Sequence, residues 1–170
     1  MTHWKLVLGA LVSVWTWGVS PGAAQPLEAV TVRVAPVSPQ GAYLTDANGR
    51  ALYLFTADTP GTGEVQAVSR CDDACLQAWP PLLAQGALQA GPQAQAALLG
   101  TLRRQDGALQ ITYNGWPLYY AGTDHQPGQV TGQGIQGFGG TWSLVQPQGT
   151  QVTATPRLRP PQQLRVREVP

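Results

Sequence analysis

The chain is poor in charge and short of the groups that most enzyme chemistry needs. Only 11% of its 170 residues are charged, its single Lys is Lys5, its single Met is the initiator, and it has two His and two Cys. With Cys71 and Cys75 alone, a four-ligand zinc site is out of reach, and Leu76 stands where C-x-x-C-H haem attachment would want a His. There is no G-x-S-x-G, H-E-x-x-H, Walker or dinucleotide fingerprint. The run from Leu6 to Val19 is shorter than the roughly 18 apolar residues needed to cross a bilayer. No Cys lies near residue 24 to carry a lipid, so no permanent membrane anchor is expected.

That N-terminal run, preceded by Lys5 and followed by Gly22-Ala23-Ala24, reads as an export signal over residues 1–24. The protein is accordingly expected to be exported, periplasmic or extracellular. Residues 25–39, with AVTVRVAPV, form an N-terminal strand or linker. A body follows over 40–146, and residues 147–170 are a Pro- and Arg-rich tail expected to be largely disordered, with QLRVREV as a possible edge strand. The formal net charge is +1. The body carries four Arg against seven acids, whereas the tail holds Arg157, Arg159, Arg165 and Arg167 against Glu168. A basic tail on an acidic body excludes the profile of a nucleic-acid-binding domain.

The body contains one pattern twice. Gly49-Arg50-Ala51-Leu52-Tyr53 and Gly115-Trp116-Pro117-Leu118-Tyr119 stand at an offset of 66 residues, as do Asp58 and Asp124. Pro60-Gly61 and Pro127-Gly128 close the two units. Each unit has β-rich runs flanking Asn-Gly, the strongest short hairpin signal. A pattern repeated in this way is expected to be one supersecondary unit used twice, each copy burying the other's apolar face. Between the copies, CDDACLQAW places Cys71, Cys75 and Trp79 at intervals of four, as on one helical face, until Pro80-Pro81 stops it. PQAQAALLGTL, from Pro92, is a second helical candidate or an irregular loop. The fold expected is mainly β: a small antiparallel domain of two related hairpin units with one or two short helices between them.

Several residues carry alternative readings. Tyr53, Asp58, Tyr119 and Asp124 either converge on a ligand or cation, or serve as packed rings and turn caps whose carboxylates accept N–H groups two or three residues on. Cys71 and Cys75 read most simply as a disulfide in an oxidising compartment, with a redox pair or a copper site as alternatives. His125 follows Asp124 but has no recognisable nucleophile to serve. Trp79, Trp116 and Trp142, with His125, could form a platform for a ring-shaped ligand, or the tryptophans could be core. The glycines of 131–140 precede no helix that would bind an anion.

YLTDANGRALYLFTAD, CDDACLQAWPPLL and RQDGALQITYNGWPLYYAGTD with GQGIQGFGGTW resemble the bacterial "secreted repeat of unknown function" family. Its members are exported, often lipoproteins, and carry Y-x4-D repeats. The resemblance covers about residues 40–146, placing the family's Tyr and Asp on Tyr53/Asp58 and Tyr119/Asp124 and its cysteines on Cys71 and Cys75. Ala121 departs from it, standing where the first copy has Phe55. The resemblance implies no activity, cofactor or substrate. The function expected is that of a non-catalytic binding module of the cell envelope, without cofactor, serving an envelope protein or small ligand. The alternative is redox or copper handling by Cys71 and Cys75.

Overall fold

The computed structural model describes residues 29–36 and 38–153. The leader reading and the QLRVREV edge strand lie outside the described residues. The fold is mainly β, as the doubled hairpin pattern predicts, with β1 (Val30–Val34), β2 (Leu44–Thr45), β3 (Tyr53–Phe55), β4 (Leu88–Ala90), β5 (Leu99–Arg103), β6 (Leu109–Tyr113), β7 (Trp116–Pro117), β8 (Gln136–Gly137) and β9 (Gly140–Leu144). They form three-stranded sheets β2-β1-β4, β3-β9-β8 and β5-β6-β7. All pairings between these strands are antiparallel except β1 with β4, which is parallel.

Tyr53 and Tyr119 join the sheets at the centre. Each backbone N–H donates to the other's carbonyl at 2.9 Å, so the two repeats meet at a reciprocal antiparallel pair. Each Leu-Tyr strand is then extended by the closing segment of the opposite repeat. Tyr53, Leu54 and Phe55 pair with Leu144, Ser143 and Trp142 of β9. Tyr119 pairs with Pro81, and the Tyr120 N–H donates to the Pro80 carbonyl. The outer bonds match as well: Leu44 N–H to Val145 O at 2.8 Å corresponds to Ile111 N–H to Leu82 O at 2.8 Å. Trp79-Pro80-Pro81-Leu82 and Trp142-Ser143-Leu144-Val145 are thus equivalent segments, exchanged between the repeats.

Period-two alternation sorts the buried side chains into two layers. Tyr53, Phe55, Tyr119, Trp79 and Trp142 lie on one side with both cysteines. Leu44, Leu52, Leu54, Ile111, Leu118, Leu82 and Val145 lie on the other. Tyr53, Leu54 and Phe55 are all buried because both faces of the central strands are covered.

Several local features differ from the sequence expectation, each for a physical reason. Asn114-Gly115 makes the two-residue turn expected, with φ of 49° and 76°, and Tyr113 pairs with Trp116. Around Asn48-Gly49 the turn is wider, and Thr45 pairs with Ala51. There the Asp46 carboxylate accepts the N–H groups of Asn48 and Arg50, both at 2.9 Å, and this Asx geometry displaces the tight turn. The helix spans only Ala74–Ala78, so Cys71 precedes it and shares no helical face with Cys75. In the second helical candidate, one short 3₁₀ turn (Ala96–Leu98) gives way to β5, whose five residues pair with β6 from Leu99–Tyr113 to Arg103–Leu109. Gly100 helps that pairing, because a Cβ there would stand 2.9 Å from Thr112 Oγ1. β1 pairs with β2 and β4, and residues 147–153 fold back through the Val145–Gln151 bridge to bury Val152. In that fold-back the Val152 N–H donates to the Leu144 carbonyl at 2.8 Å.

Candidate functional site

The tyrosines and aspartates of the repeat motif come together, but across the repeats. Tyr53 donates its hydroxyl to Asp124 Oδ2 at 2.6 Å, and Tyr119 donates to Asp58 Oδ2 at 2.8 Å. The turns cross in the same sense. The Gly61 N–H donates to Gly115 O at 3.0 Å, and the Gly128 N–H to Gly49 O at 3.3 Å, so each Pro-Gly rests on the other repeat's Asn-Gly. A side chain at Gly115 would collide with the Gly61 carbonyl.

The carboxylates hold loops in place rather than their own tight turns. Asp58 Oδ1 accepts the Arg70 N–H at 2.7 Å, twelve residues on. Asp124 Oδ1 accepts the N–H and hydroxyl of Thr131 at 2.9 and 2.7 Å. The cap therefore acts over a longer reach than the two or three residues expected. Asp124 is 1% exposed and Asp58 6%. Burial pushes the Asp58 carboxyl up to about 6, although the Arg70 N–H, the Tyr119 hydroxyl and the Arg104 charge all pull it down. The Tyr53 and Tyr119 phenols are raised above the ordinary tyrosine value, first by burial and then by the neighbouring carboxylates.

On the first-repeat side the network runs further. Ser69 Oγ lies 2.8 Å from the Tyr119 hydroxyl and accepts from Arg104 Nη1 at 2.7 Å. Arg104 also donates to Gln110 Oε1 at 2.8 Å, Cys71 O at 2.9 Å and Asp72 Oδ1 at 3.2 Å. Its guanidinium is buried and surrounded by acceptors, which suits a structural tie. Nothing in the sequence marks Arg104, Gln110 or Ser69, because each partner is remote along the chain.

The remaining candidates separate. Cys71 and Cys75 form a disulfide, with Cα atoms 5.2 Å apart, and both are buried. Trp79 lies flat on Trp142, with ring centroids 3.9 Å apart and planes 2° apart, and Phe55 covers the far face of Trp142 at 4.1 Å. Trp116 packs half-buried against the aliphatic layer, and His125 is exposed. The tryptophans and His125 therefore share no surface; Trp79 and Trp142 are core. Among the described residues, no three His, Cys, Asp or Glu side chains are gathered to hold a metal.

Two clefts open beside the motif. One of about 330 Å³ has Tyr120 in its wall, whose hydroxyl donates to Asp46 Oδ2 at 3.1 Å while the Arg50 guanidinium lies 4.1 Å over its ring. The other, of about 440 Å³, lies between Tyr43, Val34 and Pro127. None of Tyr53, Asp58, Tyr119 and Asp124 lines either cleft.

The class this defines is a mainly β protein of two interlaced copies of a Tyr-Asp unit, stapled by one disulfide. The family described as secreted repeat of unknown function matches residues 36–83 and 100–146, one match per copy and more than half of the chain, and the protein belongs to it. No curated protein and no solved structure matches the chain. No helix among the described residues is long and apolar enough to cross a membrane.

Proposed function

We propose that the protein is an exported, non-catalytic binding module of the bacterial cell envelope, in which the repeated Tyr-Asp motif is the frame and the loops are the working surface. One observation carries this reading: the motif's phenols and carboxylates are buried in two crossed pairs that satisfy each other. A general base or nucleophile must reach a substrate atom, and these groups face inward. What the fold turns outward is apolar: Val65 is 55% exposed, Ile135 46% and Phe138 52%. Exposed apolar groups on loops held by a rigid frame are the usual material of recognition. Redox or copper traffic is the weaker reading, since it needs accessible thiols, and here both sulfurs are buried and joined.

The test is co-sedimentation of the purified chain with isolated bacterial cell envelopes. Binding is expected, and Tyr119→Phe is expected to bind equally at a temperature where it remains folded. Absence of binding, or its loss in a folded Tyr119→Phe protein, would overturn the reading.

A further inference from the structure

The β8–β9 hairpin carries a feature that the frame does not require. Its two-residue turn is Phe138-Gly139, with φ of 54° and 86°, between paired Gly137 and Gly140. Asn, Asp or Gly are the residues that take the first position of such a turn without strain. Phenylalanine there bears the clash between Cβ and the following carbonyl, a cost of about 1–2 kcal/mol. Its ring gains little burial in return, being 52% exposed, with Ile135 46% exposed on the same hairpin. A strained backbone that holds a large apolar side chain in solvent points to a ring kept there for contact with something else.

The surroundings say what that is. From His125 to Pro156 the sequence contains no Asp, Glu, Lys or Arg, so no carboxylate stands on the hairpin. The exposed acids Glu64, Asp72, Asp73 and Asp106 belong to other loops. The basic tail starts close by. Residues 151–153 run back along β9, bridging Val145 and bonding Leu144, and reach the cleft formed by Gln133, Gly134, Thr141 and Ser143 at the root of the hairpin. The tip lies four residues along the hairpin from Ser143, roughly 13 Å away. Four residues of chain span at most about 14 Å, so Arg157 is within reach of the level of the tip.

We propose that the Phe138 tip and the tail arginines Arg157, Arg159, Arg165 and Arg167 together dock the protein on an anionic phospholipid surface. The ring enters the interface while the guanidinium groups bind lipid phosphates. Neither part suffices alone, since one ring or one short cluster of charge gives marginal, reversible binding and stable docking takes two signals. This rests on the binding-module reading and names its partner.

Vesicles of phosphatidylglycerol and phosphatidylcholine in equal parts, sedimented with the exported chain bearing its tail, provide the test. Binding is expected at low salt, with little to vesicles of phosphatidylcholine alone. Phe138→Asn should weaken it about tenfold, the loss of one buried ring. The same variant should melt roughly 3 °C higher, because Asn relieves the strained turn. A ring with a purely structural role would give the opposite shift in melting. Replacing the four tail arginines by Gln should reduce binding more than tenfold and remove its salt dependence, without altering melting. Equal binding by Phe138→Asn, equal binding by the Gln variant, or no binding of the wild type to phosphatidylglycerol would each overturn the proposal. If the chain binds whole envelopes but not these vesicles, docking on lipid fails while the binding-module reading stands. If it binds neither, both fail.

Discussion

Trp79 and Trp142 lie face to face, 3.9 Å between ring centroids, and they occupy equivalent positions in the two repeats. Each begins the closing segment that its own repeat gives to the other. The stack is therefore where the exchange is packed, as the Tyr53–Tyr119 backbone pair is where it is hydrogen-bonded. Phe55 extends the stack over Trp142, whereas the equivalent Ala121 leaves Trp79 without such a ring.

Truncating the stack should therefore have unequal effects. Phe55→Ala removes a fully buried ring and should cost about 3–5 kcal/mol. Trp142→Phe should cost less than about 2 kcal/mol, because it also removes the indole N–H of Trp142, a buried donor with no partner. Denaturant titration of both variants checks the order, and a larger loss for Trp142→Phe would contradict it.

The exchange also predicts how the chain divides. A polypeptide ending at Gly91 keeps the first Leu-Tyr strand but loses β9, and one starting at Gln95 loses the Trp79–Leu82 segment. Each alone should be unfolded by circular dichroism, and the two mixed should regain β structure as a one-to-one complex. A stable fold in either half alone would contradict the interlacing.

Asp58 should impose a pH dependence of defined sign. Its folded carboxyl titrates at about 6, against 3.8 for the free group, so the native state holds the proton more tightly. Its stabilising contribution is full below about pH 4 and is lost as the pH rises through about 6, a change of roughly 2–3 kcal/mol. Asp58→Asn cannot titrate. The stability of the wild type relative to this variant should therefore increase as the pH falls from about 7 to about 4. A difference that is flat with pH, or that falls on acidification, would contradict the assignment.

The disulfide should contribute modestly. Cys71 and Cys75 close a loop of about five residues, which corresponds to about 2 kcal/mol of chain entropy. A Cys71→Ser, Cys75→Ser double variant should remain folded with that loss in chemical denaturation; complete unfolding would show that the α1 segment depends on the link far more than its loop length implies.

How much of this was legible in the sequence depends on which interactions are local. The offset of 66 residues, the Asn-Gly turns and the alternating Leu-Tyr runs are local, and they mark the two hairpins and the mainly β fold. The crossing is not local: an offset says that Asp58 and Asp124 are alike, not which tyrosine each one faces. The equivalence of Trp79 and Trp142 is hidden because Trp79 follows Tyr53 by 26 residues whereas Trp142 follows Tyr119 by 23. One gap contains α1 and the other β8. In β5, the alanines and leucines that precede Gly100 suit a helix, and only β6, offering a free edge, makes the segment a strand. Arg104 has four chemically different partners from four parts of the chain, so no spacing betrays it.

The central claim is that the motif binds repeat to repeat, and double-mutant cycles on folding stability test it most directly. Tyr53→Phe with Asp124→Asn, and Tyr119→Phe with Asp58→Asn, should each show a coupling energy of about 0.5–3 kcal/mol. The same-repeat cycle, Tyr53→Phe with Asp58→Asn, should be additive within about 0.5 kcal/mol. Coupling within each repeat, with additivity across them, would contradict the crossed arrangement.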